Sequence, residues 1–271
     1  MDKRMSLDEV VALVQDRNML ALGGMTLYRR PVAFVTALVQ KFLREGHPGD
    51  LTLMTFTASI ESDILVGAGL VSRVRTCYFG LEIFGLAPLF SYCANRGEIE
   101  IVEETEMSLA LGLRAQAAGI GFMPGRAWLG TDLPKLRPDV LTIRDPYTGE
   151  EYMAFPAIKP DIAVIHALRA DYDGNAQIGG NKAVDEELAL ASDRVIITAE
   201  EIVPSLDQAD IVAPLVHGIV HAPFGAHPTS CHPLYPVNGK ALLDYTANVG
   251  DPEALRHFAG GGFFWKKQGE G

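Results

Sequence analysis

The chain has 271 residues, 48% hydrophobic and 21% charged, a globular composition that excludes a disordered protein. Its net charge of −11, from 23 basic and 34 acidic residues, argues against wrapping nucleic acid, whose phosphates need clustered Lys and Arg. No apolar run approaches the ~20 residues that span a bilayer, no signal-peptide core follows the charged start, and three cysteines (Cys77, Cys93, Cys231) make no disulfide framework, so a soluble, reduced, cytoplasmic protein is expected.

The apolar run Met19 to Leu22 reads as a strand ending in Gly23-Gly24. Pro31 then stands where a helix begins, and Val32, Phe34, Val35, Leu38, Val39 and Phe42 recur at helical spacing until Gly46, Pro48 and Gly49 stop it. Leu51 to Thr57 is apolar and β-branched, hence a buried strand; Ile60 to Leu70 reads as a short helix and Arg73 to Phe79 as a strand. Alternation over Glu98 to Ile101 predicts a half-buried strand, and the Ala- and Leu-rich stretch Ser108 to Ala118 the clearest helix. Asp132 to Pro160 is Pro-rich and reads as an excursion of short strands. Asp161 to Ala167 and Arg194 to Ala199 are near-continuous apolar strands with a helix around Ala183 to Ala191 between them.

Continuous apolar strands separated by helices indicate a parallel sheet covered on both faces. The expected fold is α/β: a single open, mostly parallel sheet with helices on both faces, over residues 1–259, with 260–271 as a loosely held tail.

Four places carry candidate chemistry. Gly23 and Gly24 let the backbone approach a ligand, the following helix N-terminus favours anions, and Arg29 and Arg30 suit a phosphate or carboxylate; the same residues also fit a tight turn with two solvent-facing arginines. The fingerprint G-x-G-x-x-G is absent, so a nicotinamide cofactor is not expected. In the run Glu98, Glu100, Glu103, Glu104, Glu106, most carboxylates read as a solvated edge. Glu106 falls at a strand-to-helix junction with Thr105 placed to cap the helix, so it is either a general base at a sheet crevice or a charge that complements the helix dipole. His217 and His221 have the spacing of a helical metal pair, but Gly218, Ile219, Val220 and Pro223 argue against a helix, so no metal is expected; with His227, Cys231 and His232 they read as a loop against a pocket. Asp173-Gly174-Asn175 reads as a hairpin turn.

Several stretches together resemble the A (alpha) subunit of family I coenzyme A transferases: ALGGMTLYRRPVAF (21–34), SDILVGAGLVSRV (62–74), SLALGLRAQAAGIGFMPGR (108–126), KPDIAVIHALRADYDGNAQIGG (159–180), SDRVIITAEEIV (192–203) and APFGAHPTSC (222–231). They stand in the family's order and cover most of the chain, nearest to the glutaconate-type transferases and the steroid ring-cleaving CoA hydrolase. The resemblance implies an α/β subunit that pairs with a homologous B subunit, as a heterodimer or a dimer of heterodimers, with an acyl-CoA and a carboxylic acid as substrates and no permanently bound cofactor. It implies a glutamyl-CoA thioester on a Glu of the B half, in an S-E-N-G-like motif that this chain lacks; Glu61-Ser62 is inverted. Glu106-Met107-Ser108-Leu109 matches a Q-G-T-L segment of the acetate transferases, where the Gln helps form the oxyanion site, and a Glu stands there in the hydrolase branch. By that match Glu106 is a base or oxyanion-site residue, Ser108 lies in the substrate site, and Gly23 and Gly24 belong to the Gly-rich loop that approaches the ligand. Met107 departs from the family's Gly. The alternative expectations are an acyl-CoA hydrolase and a non-catalytic, structural role beside the B half.

Overall fold

The computed structural model describes residues 2–260. The chain runs through α1 (Leu7–Val11), β1 (Met19–Leu22), α2 (Val32–Glu45), β2 (Leu51–Ala58), α3 (Ile60–Gly67), β3 (Val71–Phe79), α4 (Pro88–Asn95) and β4 (Glu100–Glu103). It continues with α5 (Glu106–Ala117), β5 (Phe122–Gly125), α6 (Leu133–Leu136), β6 (Leu141–Arg144) and β7 (Glu151–Pro156). It returns through β8 (Ile162–Asp171), β9 (Ala176–Gln177), α7 (Asp185–Ala191), β10 (Arg194–Val203) and β11 (Gly218–His221), and closes with α8 (Gly239–Asn248) and α9 (Pro252–Gly260).

The main sheet has the order β11-β10-β8-β1-β2-β3-β4. All of these neighbours are parallel, and β9 folds back antiparallel on β8. The central strands β1, β2, β8 and β10 are rich in apolar residues because both faces are covered. Leu20 and Leu22 pack into the layer that holds Phe34 and Leu38 of α2 and Ile64 of α3. Ala21, between them, packs with Leu109 and Leu113 of α5 and Leu188 of α7 on the opposite face. Phe34 and Leu38 are fully buried, which contributes about 1.5–3 kcal/mol each. Gly46 ends α2 with φ +76°, the left-handed conformation that glycine supplies without a Cβ penalty.

Some expectations change in detail. Asp132 to Pro160 does hold short strands, but β6 and β7 join β5 in a separate antiparallel sheet of order β5-β7-β6, so the sheet is not single. That small sheet builds its own core from Trp128, Val140, Met153 and Phe155. The alternating segment begins at Glu100 and forms an exposed edge strand, on which charged residues oppose further strand pairing. Strand β8 runs on to Asp171, whose Oδ1 accepts the N–H groups of Asp173, Gly174 and Asn175 in the expected hairpin turn. Helix α9 includes Gly260, and residues 261–271 of the expected tail lie outside the described residues.

Strand β1 is the centre of the topology. From it the chain builds outward to β4 on one side, and later from β8 to β11 on the other. The order therefore reverses between β1 and β8, and the carboxyl ends of those strands form the crevice where ligands bind in open α/β sheets.

Candidate active site

Beyond β1 the chain forms a loop, residues 23–31, and its glycines have a definite cause. Gly24 has φ +83°, and a Cβ there would lie 2.5 Å from the Arg29 carbonyl oxygen. A Cβ on Gly23 would lie 2.7 Å from Asp185 Oδ1. The close approach these glycines permit is to the chain's own carboxylate: Gly24 N–H donates to Asp185 Oδ1 at 2.9 Å. Other amides of the loop are also taken internally, Gly23 N–H by Val164 O at 2.9 Å and Thr26 N–H by Thr57 Oγ1 at 2.8 Å.

Arg29 and Arg30 face neither solvent nor an open cleft; both are fully buried. Arg29 donates to His166 O at 2.8 Å on β8, to Asn181 O at 2.7 Å and to Asp185 Oδ2 at 2.9 Å on α7. Arg30 turns to the other side of the crevice, to Gly24 O at 2.9 Å, Thr55 Oγ1 at 2.9 Å and Glu61 Oε1 at 2.6 Å. The carboxylates the two arginines meet are Asp185 and Glu61 of this chain. Sequence reasoning missed those partners because they lie 156 and 31 residues away, with no local spacing to reveal them.

A second loop is stitched to the first. Arg29 N–H donates to Ser230 O at 2.7 Å, Ser230 N–H to Leu27 O at 2.8 Å, Ala33 N–H to Gly225 O at 2.8 Å, and Tyr28 Oη to His232 O at 3.2 Å. The two stretches ALGGMTLYRRPVAF and APFGAHPTSC are thus one structural unit at the sheet's carboxyl edge.

Glu106 opens α5 and is exposed. Thr105 caps the helix: its Oγ1 accepts Ser108 N–H at 3.2 Å while Ser108 Oγ accepts Thr105 N–H at 2.8 Å. The Ser108 hydroxyl is buried and also donates to Glu104, so in this chain it is committed to the cap. Glu104 corrects the reading of a solvated edge. It is buried and paired with Arg75 at 2.7 Å and Arg137 at 2.8 Å. Glu106 makes no hydrogen bond or ion pair among the described residues. Its charge is felt at Cys77 on β3, whose thiol is pushed up to about 11, first by burial and then by Glu106.

The histidine reading requires a correction of partners. His217 Nδ1 accepts the Val195 N–H at 3.1 Å, and His221 ends β11 rather than a helix. Among the described residues, the ligand-type side chains that group together are His166, Glu200 and Cys231, whose ligand atoms lie within 4.8 Å of one another. His166 Nε2 bonds Glu200 Oε1 at 2.8 Å and its Nδ1 bonds Thr198 Oγ1 at 2.9 Å. Glu200 also accepts the Phe224 N–H at 2.6 Å and the Tyr235 hydroxyl. Protein donors therefore reach both carboxylate oxygens. Burial lowers the His166 pKa, against the pull of Glu200. Burial opposes the charge of Glu200, but the bonds from His166, Tyr235 and Phe224 outweigh it and hold the carboxyl below its usual range. The one signal in the sequence was a histidine inside the apolar strand DIAVIHA.

No helix among the described residues is long and apolar enough to cross a membrane. The family model for coenzyme A transferase matches residues 4–220. The A chain of the 3-oxoadipate CoA-transferase of Pseudomonas knackmussii is 34% identical over 84% of this chain and 81% of that protein. The crystal structure of glutaconate coenzyme A-transferase from Acidaminococcus fermentans superposes with a TM-score of 0.87 at 27% identity, over 96% of this chain and 88% of that one. An uncharacterized protein of Archaeoglobus fulgidus is 35% identical over 95% of this chain, which spans only 58% of that protein's length. The chain belongs to the coenzyme A transferase family and matches its alpha subunits over most of their length.

Proposed function

We propose that this chain is the alpha subunit of a cytoplasmic heteromeric CoA transferase, moving CoA between an acyl-CoA and a carboxylic acid of the glutaconate type. The partner B subunit supplies the glutamate that carries the CoA thioester, since the S-E-N-G-like motif is missing here. The two subunits assemble as a heterodimer or a dimer of heterodimers. No permanently bound cofactor takes part.

The observation that supports this reading is Glu106. It opens α5 beyond the carboxyl end of β4, exposed and without a hydrogen-bond or ion-pair partner among the described residues, while Glu61, Glu104 and Asp185 are buried against arginines. A carboxylate at the start of α5 stands where the helix dipole favours negative charge. There it accepts a proton from water or a substrate hydroxyl, or holds a polar group beside the developing oxyanion. The Gly23-Gly24 loop, set by Arg29, Arg30 and Asp185, forms the rigid wall against which the thioester lies.

The same carboxylate supports a second reading, hydrolysis of the acyl-CoA with Glu106 as the base for water. The test is co-expression with a B subunit, followed by a panel of CoA esters assayed with and without acceptor acids. Transfer that depends on the acceptor supports the transferase; CoA release without an acceptor supports the hydrolase. A fully active monomer of this chain alone would overturn both heteromeric readings.

A further inference from the structure

Trp128 stands in the loop after β5, buried, with φ +75°. That region is disfavoured for side chains with a Cβ, and a bulky residue there is a strained outlier. Such strain persists only where the surroundings hold it in place. Here both the backbone and the ring are held. The Trp128 carbonyl accepts the Thr131 N–H at 3.0 Å and the Thr131 hydroxyl at 2.8 Å. The indole meets Phe155 of β7 edge-on, with ring centroids 5.1 Å apart, and its N–H donates to Thr105 Oγ1 at 3.0 Å.

That last bond crosses from the loop of the small sheet to the residue just before Glu106. A ring needed only to fill the core could be phenylalanine, which has no N–H to satisfy. Arg137, which follows α6, makes a parallel connection. Its guanidinium donates to Glu103 O and to Glu104 Oε1, both at 2.8 Å, and lies 5.8 Å from the Trp128 ring centroid. Glu103, Glu104 and Thr105 are thus each held from the segment between β5 and β6. Glu106 itself is exposed and has no hydrogen-bond or ion-pair partner among the described residues. A carboxylate without bonds of its own is placed only by the backbone that carries it.

We propose that Trp128 is a positioning residue for Glu106: by holding Thr105 Oγ1 it fixes the cap and first turn of α5, and with them the place of the Glu106 carboxylate. The inference rests on the reading above that Glu106 acts in the reaction. Its leverage is geometric, because misplacing a reacting group by about 1 Å costs on the order of 10²-fold in rate. Thr105 Oγ1 also accepts the Ser108 N–H at 3.2 Å, so losing the indole bond loosens the cap without abolishing it. The effect is therefore smaller than that of losing Glu106.

The experiment compares Trp128→Phe, Glu106→Ala and the double variant in the co-purified A–B complex, on the CoA ester that the wild-type complex turns over fastest. Trp128→Phe keeps an aromatic ring beside Phe155 and removes the N–H. It is expected to lower kcat about tenfold and leave KM unchanged. Added to Glu106→Ala, it is expected to lower kcat by less than about twofold, because the group it positions is gone. If the phenylalanine variant does not fold, 3-benzothienylalanine at position 128 carries the test, since it matches the indole in shape and lacks only the N–H. Unchanged kcat in the single variant overturns the proposal. So does an equal loss in both backgrounds, which would mark a general loosening of the fold. Full turnover in Glu106→Ala would instead overturn the role of Glu106 itself, and the proposal with it.

Discussion

Asp185 holds Gly24 and Arg29 at once: one carboxylate oxygen accepts the Gly24 N–H at 2.9 Å, and the other accepts the Arg29 guanidinium at 2.9 Å. A residue of α7 thus sets the conformation of the loop that follows β1. Both ends of the ion pair are buried, with side-chain exposures of 0% and 1%. Removing one member of a buried pair strands the other charge. Asp185→Ala is therefore expected to lower stability by about 3–5 kcal/mol. Urea unfolding of the purified chain checks it, and a loss below about 1 kcal/mol would show that the pair does not organise this loop.

Gly24→Val brings two separate penalties. The backbone angle is strained for any β-branched residue, and the new Cβ falls within 2.5 Å of the Arg29 carbonyl. A stability loss of at least about 2 kcal/mol is expected, with turnover falling because the folded fraction falls. Circular dichroism melts beside specific activity separate this from a direct ligand contact, which would cut activity in a fully folded variant.

Glu106 is tested by two substitutions in the A–B complex. As a base, it should lose turnover about 10²-fold on change to Gln, the usual scale for a general acid or base, and at least as much on change to Ala. Gln near wild type with Ala impaired would reduce its role to hydrogen bonding. Full turnover in both variants would leave it a helix-end charge worth at most about 1 kcal/mol of stability.

The network around Glu200 predicts a pH dependence of stability. Burial lowers the pKa of His166 in the folded chain, so below its ordinary value of 6.5 the unfolded chain takes up a proton that the folded chain refuses. The stability that neutral His166 contributes is therefore present above pH 6.5 and is lost as the pH falls below it. Wild type should lose more stability than His166→Gln between pH 7.5 and pH 5, measured by urea unfolding at each. Equal losses would mean that His166 does not titrate abnormally.

The main elements were legible in the residues themselves. Met19 to Leu22, Leu51 to Thr57, Asp161 to Ala167 and Arg194 to Ala199 are apolar without alternation, which only strands covered on both faces tolerate, and α2 announces itself by its spacing and by Gly46. The position of Glu106 at a strand-to-helix junction was legible for the same reason, because Thr105 and Ser108 form a local cap. What the sequence could not determine were contacts between distant segments. Glu104 looked like one acid in a solvated run, yet tertiary packing places it between Arg75 and Arg137. Arg29 and Arg30 looked like anion-binding or solvent-facing residues, yet the pairing of β8 and of β2 on either side of β1 leaves Asp185 of α7 against Arg29 and Glu61 of α3 against Arg30. Local periodicity records which face of an element is buried. The partner of a buried charge is decided only when strands far apart in sequence lie side by side.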